Sequence, residues 1–218
     1  MIGELKMLLC KDFRLSLIPL LAGIMFITIP YLLLLIPFLI QNNYDFRNAW
    51  GASVVFSPLT MAFLAGNIIA CERTDRSATF LAFQGASRKM VVSSKIIICV
   101  IAFIFIYIIS FLLSFFLPEM PLKEIVEILK INFIFAAVGF CWFGCCWLLS
   151  SLLSSPAISI ALGLLSPFII GISLAGSLYV FHLLSEDMYG VLFIALNIVV
   201  GLISLIAGTW YFVRSKES

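Results

Sequence analysis

Between Cys71 and Lys95 the chain reads CERTDRSATFLAFQGASRKMVVSSK. Of 13 basic and 11 acidic side chains in 218 residues, seven lie here: Glu72, Arg73, Asp75, Arg76, Arg88, Lys89 and Lys95. Long apolar runs, Trp50 to Cys71 and Ile96 to Leu117, flank the stretch on both sides. Between its charges lies a short amphipathic piece, Ser77 to Phe83, carrying Phe80, Leu81 and Phe83. Gly85 interrupts that pattern, and Ser87 has the chemistry to cap a helix running through Lys95 into the next apolar run. Two readings of the stretch are open. It is an ordinary positive loop between membrane spans, or it is a docking surface, with aromatic anchors and a charged rim, for another protein.

Other residues with chemical potential are fewer. Cys141 and Cys145 stand one helical turn apart, with Cys146 beside them, but no carboxylate joins them and the lone histidine, His182, is far away in sequence. They read as small packing residues in register with Ala137. Cys10, Cys71 and Cys99 fall near the ends of apolar runs, and none of the six cysteines is in an external loop where oxidation would pair it. A buried Ser–His pair of the kind an intramembrane serine protease needs has no histidine to draw on, since His182 falls in a surface loop. The phosphate-binding pattern G-x-x-x-x-G-K-[ST] is absent, so ATP is not bound and hydrolysed that way by this chain. No catalytic residue and no metal site are expected.

The elements that must hold the charged stretch follow from composition. Hydrophobic residues make up 63% of the chain and charged residues 11%, with a mean hydropathy of +1.20. A soluble domain of this size exposes far more polar surface, so the fold class is an all-α polytopic membrane protein. Six spans are expected, at about 15–40, 50–71, 96–117, 131–153, 157–176 and 191–213, in a single transmembrane domain over 1–218. Pro19, Pro30, Pro37 and Pro58 fall within the first two and favour kinks. Pro118 to Lys130 reads as a mixed-charge loop, Ser154-Ser155-Pro156 as a tight turn, and Ser177 to Gly190 as a short helix or re-entrant piece. Ser159, Gly163, Pro167, Gly171 and Ala175 form a four-residue ladder of small residues, suited to close helix contact within the subunit or between two copies.

Residues 1–14 read as an amphipathic helix along the membrane surface, with Ile2, Leu5, Leu8, Leu9 and Phe13 on one side and Glu4, Lys11 and Arg14 opposite. Asp12 interrupts the apolar face. No cleavable leader is expected, because the first apolar run is too long for one. Every Asp, Glu, Lys and Arg reads as lying in a loop or at a span end, unlike the mid-membrane charges of ion-coupled carriers. If both termini are cytoplasmic, ten basic residues lie inside (Lys6, Lys11, Arg14, Arg73, Arg76, Arg88, Lys89, Lys95, Arg214 and Lys216). Only Arg47, Lys123 and Lys130 lie outside. That asymmetry places residues 72–95 in the cytoplasm.

At this point the chain resembles a known family. ERTDRSATFL followed by GASRKMVVSSK is similar to the loop between the second and third spans of permeases of type-2 ATP-binding-cassette exporters. These carry an acidic residue at the end of span two, a coupling helix, and a leucine-proline-x-serine-arginine turn leading to a lysine. Glu72 matches the acid, Ser77 to Phe83 the coupling helix, Ser87-Arg88 the turn and Lys95 the lysine. Gln84-Gly85-Ala86 departs from the pattern, where the family often has Leu-Pro before the serine. The six-span plan, the N-terminal amphipathic (elbow) helix and the basic tail extend the resemblance over nearly the whole chain.

The resemblance implies a half-size permease in a bacterial cell membrane, working with separate cytosolic ATPase subunits that bring the ATP and magnesium. Ser77, Phe80, Leu81 and Phe83 would dock the ATPase, Arg73, Asp75, Arg76, Arg88 and Lys89 would form the rim, and Glu72 would be the coupling acid. A second permease, identical or related, would complete the pathway; membrane lipid surrounds it and no nucleic acid is involved. Phe-rich spans suit a hydrophobic or amphipathic cargo, foremost a peptide or antimicrobial. A haem-export or lipid/glycan permease is the alternative within the family, and a non-transporting scaffold that recruits a cytosolic partner is the alternative outside it.

Overall fold

The computed structural model describes the backbone of residues 2–41, 46–74, 87–114, 122–181 and 186–214, and the side chains of 6–33, 50–70, 87–113, 125–173 and 190–214. The described residues form helices α1 (Ile2–Gln41), α2 (Phe46–Thr74), α3 (Arg88–Ser114), α4 (Leu122–Leu152), α5 (Pro156–Leu164), α6 (Ser166–Phe181) and α7 (Glu186–Arg214). Six helical stretches are long and apolar enough to cross a membrane, α5 and α6 together supplying one of them. The chain is an all-helical protein with transmembrane character.

Two helices form the centre. Of the apolar windows, 67% of that in α2 and 56% of that in α4 is buried, against 17–28% in the other four. The reason is side-chain size. Lipid hydrocarbon is as apolar as leucine, so helices associate by close packing, and small residues allow the closest approach. Helix α2 offers Ser53, Ser57, Ala62, Ala65 and Gly66 inward, and α4 offers Ala137, Gly139, Cys141, Gly144 and Cys146. A Cβ on Gly144 would collide with the Gly201 carbonyl of α7. One on Gly208 would stand 2.8 Å from Leu148 Cα. Trp147, fully buried on α4, fills the volume these contacts leave, its ring tilted 42° to that of Phe143 with centroids 5.8 Å apart. Helices α1, α3 and α7 turn Ile, Leu and Phe outward.

Cross-helix hydrogen bonds peg the bundle. Ser53 Oγ donates to Ile27 O at 2.5 Å, Tyr31 OH to Leu113 O at 3.3 Å, and Tyr107 OH to Phe135 O at 2.9 Å.

Several boundaries differ from the sequence expectation. Helix α1 continues without a break through Arg14 and Leu15, so 1–14 is not a separate elbow. Nothing between Ile2 and Ile18 breaks a helix, and Ser16 Oγ returns to Phe13 O at 3.0 Å across the expected junction. Leu8, Asp12, Ser16, Gly23 and Ile27 make its buried stripe, while Phe13 faces outward. Helix α4 starts at Leu122, so most of the expected loop at 118–130 is helical. The fifth span is broken at Leu165. Pro167 has no N–H for the Gly163 carbonyl, which accepts from Ser166 Oγ at 2.8 Å instead, while Leu164 O accepts from Trp142 Nε1 at 3.0 Å. The region 177–190 is not a separate piece, because α6 runs on to Phe181 and α7 begins at Glu186. The turn at Ser154-Ser155-Pro156 is as expected: Ser155 caps α5, accepting from Ile158 N, and Pro156 occupies its first turn.

Candidate functional site

The charged stretch enters the described bundle through its two ends. Helix α2 carries Glu72 and Arg73 in its last turn; their side chains, together with Asp75, Arg76, Ser77, Phe80, Leu81 and Phe83, lie outside the described residues. On the far side Ser87 caps α3, accepting from Met90 N at 3.3 Å, with Val91 N on its carbonyl at 3.1 Å. Arg88 is half-buried and Lys89 exposed on the first turn.

Two turns further along α3, Lys95 does something the sequence reading missed. Its position belongs to the buried stripe Val91, Val92, Ile98, Cys99, Ala102 and Ile106, and its side chain has no exposed surface. The ammonium donates to Ile68 O of α2 at 2.8 Å and stands 3.3 Å from Asp12 Oδ1 of α1. Asp12 is equally buried. The Ser94 hydroxyl lies between Asp12 Oδ2 and Val91 O and donates to one of them at a time. Lys11 approaches the same carboxylate from the outside, 3.7 Å away.

The expectation that every charge sits in a loop or at a span end is therefore corrected for Asp12 and Lys95, which lie buried within the apolar stretches Lys6–Leu33 and Arg88–Leu113. The physical reason is mutual neutralisation. An isolated charge in this setting costs several kcal/mol, whereas a carboxylate with an ammonium and a hydroxyl, beside a backbone carbonyl that takes another ammonium proton, has its demands met. The helical phase in the sequence was compatible with this placement. Asp12 falls four residues after Leu8 and four before Ser16, and Lys95 four before Cys99, so each charge stands on the inward stripe of its helix.

The arrangement makes a three-helix clamp. Helices α2 and α3 are the two ends of the charged stretch, and Lys95 ties both to α1 through a point contact in a low-dielectric setting.

Cys141, Cys145 and Cys146 act as packing residues. Cys141 and Cys146 are buried, Cys141 Sγ lies 3.7 Å from Ser166 Oγ, and Cys145 Sγ lies 3.6 Å from Ser204 Oγ. A Cβ on Gly163 would stand 3.2 Å from Cys146 Cα, so that step of the small-residue ladder packs inside the subunit. Among the described residues, no three His, Cys, Asp or Glu side chains are grouped to hold a metal. A cleft of about 440 Å³ opens between α1 and α2, beginning within a turn of Asp12.

No family model, curated protein or solved structure matches the chain.

Proposed function

We propose that the chain is the permease subunit of an ATP-driven exporter, worked by cytosolic ATPase subunits that dock on residues 72–95. The observation that carries this reading is the clamp: Lys95 binds the Ile68 carbonyl and Asp12, joining both helices that bracket the charged stretch to α1. A docking loop transmits force only if its ends are rigidly held. In this reading Phe80 and Phe83 seat in the ATPase, since buried aromatics dominate interface energies. Arg73, Arg76, Arg88 and Lys89 steer it electrostatically. Two permeases face each other across a two-fold axis, and apolar, Phe-rich spans suit a hydrophobic or amphipathic cargo such as a peptide.

The test is purification of the intact chain from its own membranes. The expected result is a complex with an ATPase bearing a phosphate-binding loop, of a mass that requires two permeases. Replacing Phe80 and Phe83 together by Ala should weaken ATPase binding by about 1–4 kcal/mol and leave the helical spectrum unchanged. A double variant that binds the ATPase and exports like the parent overturns the reading.

Orientation has its own check. Single cysteines introduced near Asp45 and Lys123, in a background lacking the native six, should react with an impermeant maleimide applied to intact cells. One near Arg76 should react only after permeabilisation. Labelling of Arg76 in intact cells reverses the topology.

A further inference from the structure

The contacts of the Asp12 cluster divide along a helix boundary. Asp12 Oδ1 stands between two ammonium groups, 3.3 Å from buried Lys95 of α3 and 3.7 Å from Lys11, its neighbour on α1, whose side chain is 30% exposed. Ser94 Oγ lies between Asp12 Oδ2 and Val91 O of its own helix. Lys95 also donates to Ile68 O of α2. Each member therefore has one partner across the boundary and another on its own side. If α1 moves away, Asp12 keeps Lys11, Ser94 keeps Val91 O and Lys95 keeps Ile68 O. Lys95 gives up its carboxylate in that move, which makes the closed position the more stable one.

The rest of α1 is held unevenly. In its inner part, residues 6–18, only Leu8, Asp12 and Ser16 are buried. Ser16 Oγ bonds within α1, to Phe13 O, and lipid hydrocarbon receives Leu8 as well as protein does. The outer part is fixed: Gly23 packs on the Thr60 side chain, Ser53 holds Ile27 O and Tyr31 holds Leu113 O. Between the two parts stands Pro19, which has no N–H for Leu15 O and weakens the helix there. Pro19 also lines the cleft between α1 and α2, so there is room beside it. We propose that residues 6–18 form an arm hinged at Pro19 and latched by Asp12 on Ser94 and Lys95, with Lys11 holding Asp12 in the released position. The tie between α2 and α3 through Ile68 O persists in both positions. This device is a property of the isolated chain and does not rest on the export reading.

The experiment uses the full chain in lipid nanodiscs, with its six native cysteines replaced. Spin labels are attached through Met7→Cys on the arm and Ile97→Cys on α3, both exposed positions, and their separation is read by double electron–electron resonance. Ser94→Ala removes a hydrogen bond to a charged group and is expected to raise the ratio of released to latched arm about tenfold, seen as a second, longer distance. In that background Lys11→Met should lower the ratio about twofold to fivefold, the scale of an exposed ion pair. Pro19→Ala, which restores the N–H for Leu15 O, should lower it as well. A cluster serving only the fold would be loosened by Lys11→Met as it is by Ser94→Ala, so the opposite signs carry the test. A single distance in all variants overturns the proposal. So does a longer-distance population that Lys11→Met or Pro19→Ala raises or leaves unchanged. Should Ser94→Ala fail to fold, the parent and Lys11→Met, frozen from the highest temperature at which their helical spectrum holds, give the same comparison.

Discussion

Replacing Lys95 by methionine is expected to destabilise the fold by about 3–5 kcal/mol, because Asp12 is left charged and buried without its partner. Asp12→Leu should cost a similar amount, since it strands the ammonium against Ile68 O. The double variant Asp12→Leu/Lys95→Met is expected to return to within about 1 kcal/mol of the parent or to exceed it, because two apolar side chains of similar volume need no compensation. Ser94 keeps its bond to Val91 O at 2.9 Å in that background. Unfolding of the detergent-solubilised protein, followed by circular dichroism, gives all three values. Additive costs in the double variant would show that the two residues do not act as a pair. Under the proposed export function, transport assays on the same set separate stability from coupling. If the clamp serves only the fold, the double variant transports normally; if it carries motion from the charged stretch, the double variant is stable and slow.

The second large effect is expected where α4 meets α7. Gly144→Val should destabilise by about 3 kcal/mol, at the upper end for overpacking, because its Cβ meets the Gly201 carbonyl, a backbone atom that cannot rotate away. Gly201→Val should act likewise, its Cβ falling 2.8 Å from Phe140 O. Gly51→Ala is the matched control. Nothing lies within 4 Å of the Cβ it would add, and alanine is the better helix former by up to about 1 kcal/mol, so stability should hold or rise. Thermal unfolding of the three variants tests this directly. A Gly144→Val protein as stable as the parent would mean that the two helices are not in backbone contact.

How much of this was legible beforehand differs from residue to residue. The Ser87 cap and the Ser155-Pro156 turn were readable because capping is local: a hydroxyl, an extended backbone and the N–H groups of the next turn suffice. The break at Leu165 also has a local cause in Pro167, but a proline in an apolar run permits either a kink or a stop. The neighbours that satisfy the freed carbonyls, Ser166 and Trp142, decide between them. The start of α4 was misplaced because Lys123, Glu124, Glu127 and Lys130 look like loop residues by polarity, although a helix can carry charges past the membrane edge.

By itself the sequence determined the all-helical class, six membrane-crossing stretches and the bracketing of the charged segment by helices. These properties depend on hydrocarbon thickness and backbone hydrogen bonding, which any 20-residue apolar run must satisfy in the same way. Only the tertiary structure decided the fate of Asp12 and Lys95. A charge near the end of a span can snorkel to water or turn inward, and helical phase alone allows both. Which occurs depends on whether an opposite charge arrives at the same depth on another helix, and here it comes from 83 residues away. The same holds for Gly144 and Gly201, whose contact exists because α4 and α7 meet, and whose absent side chains leave nothing in either local sequence to announce it.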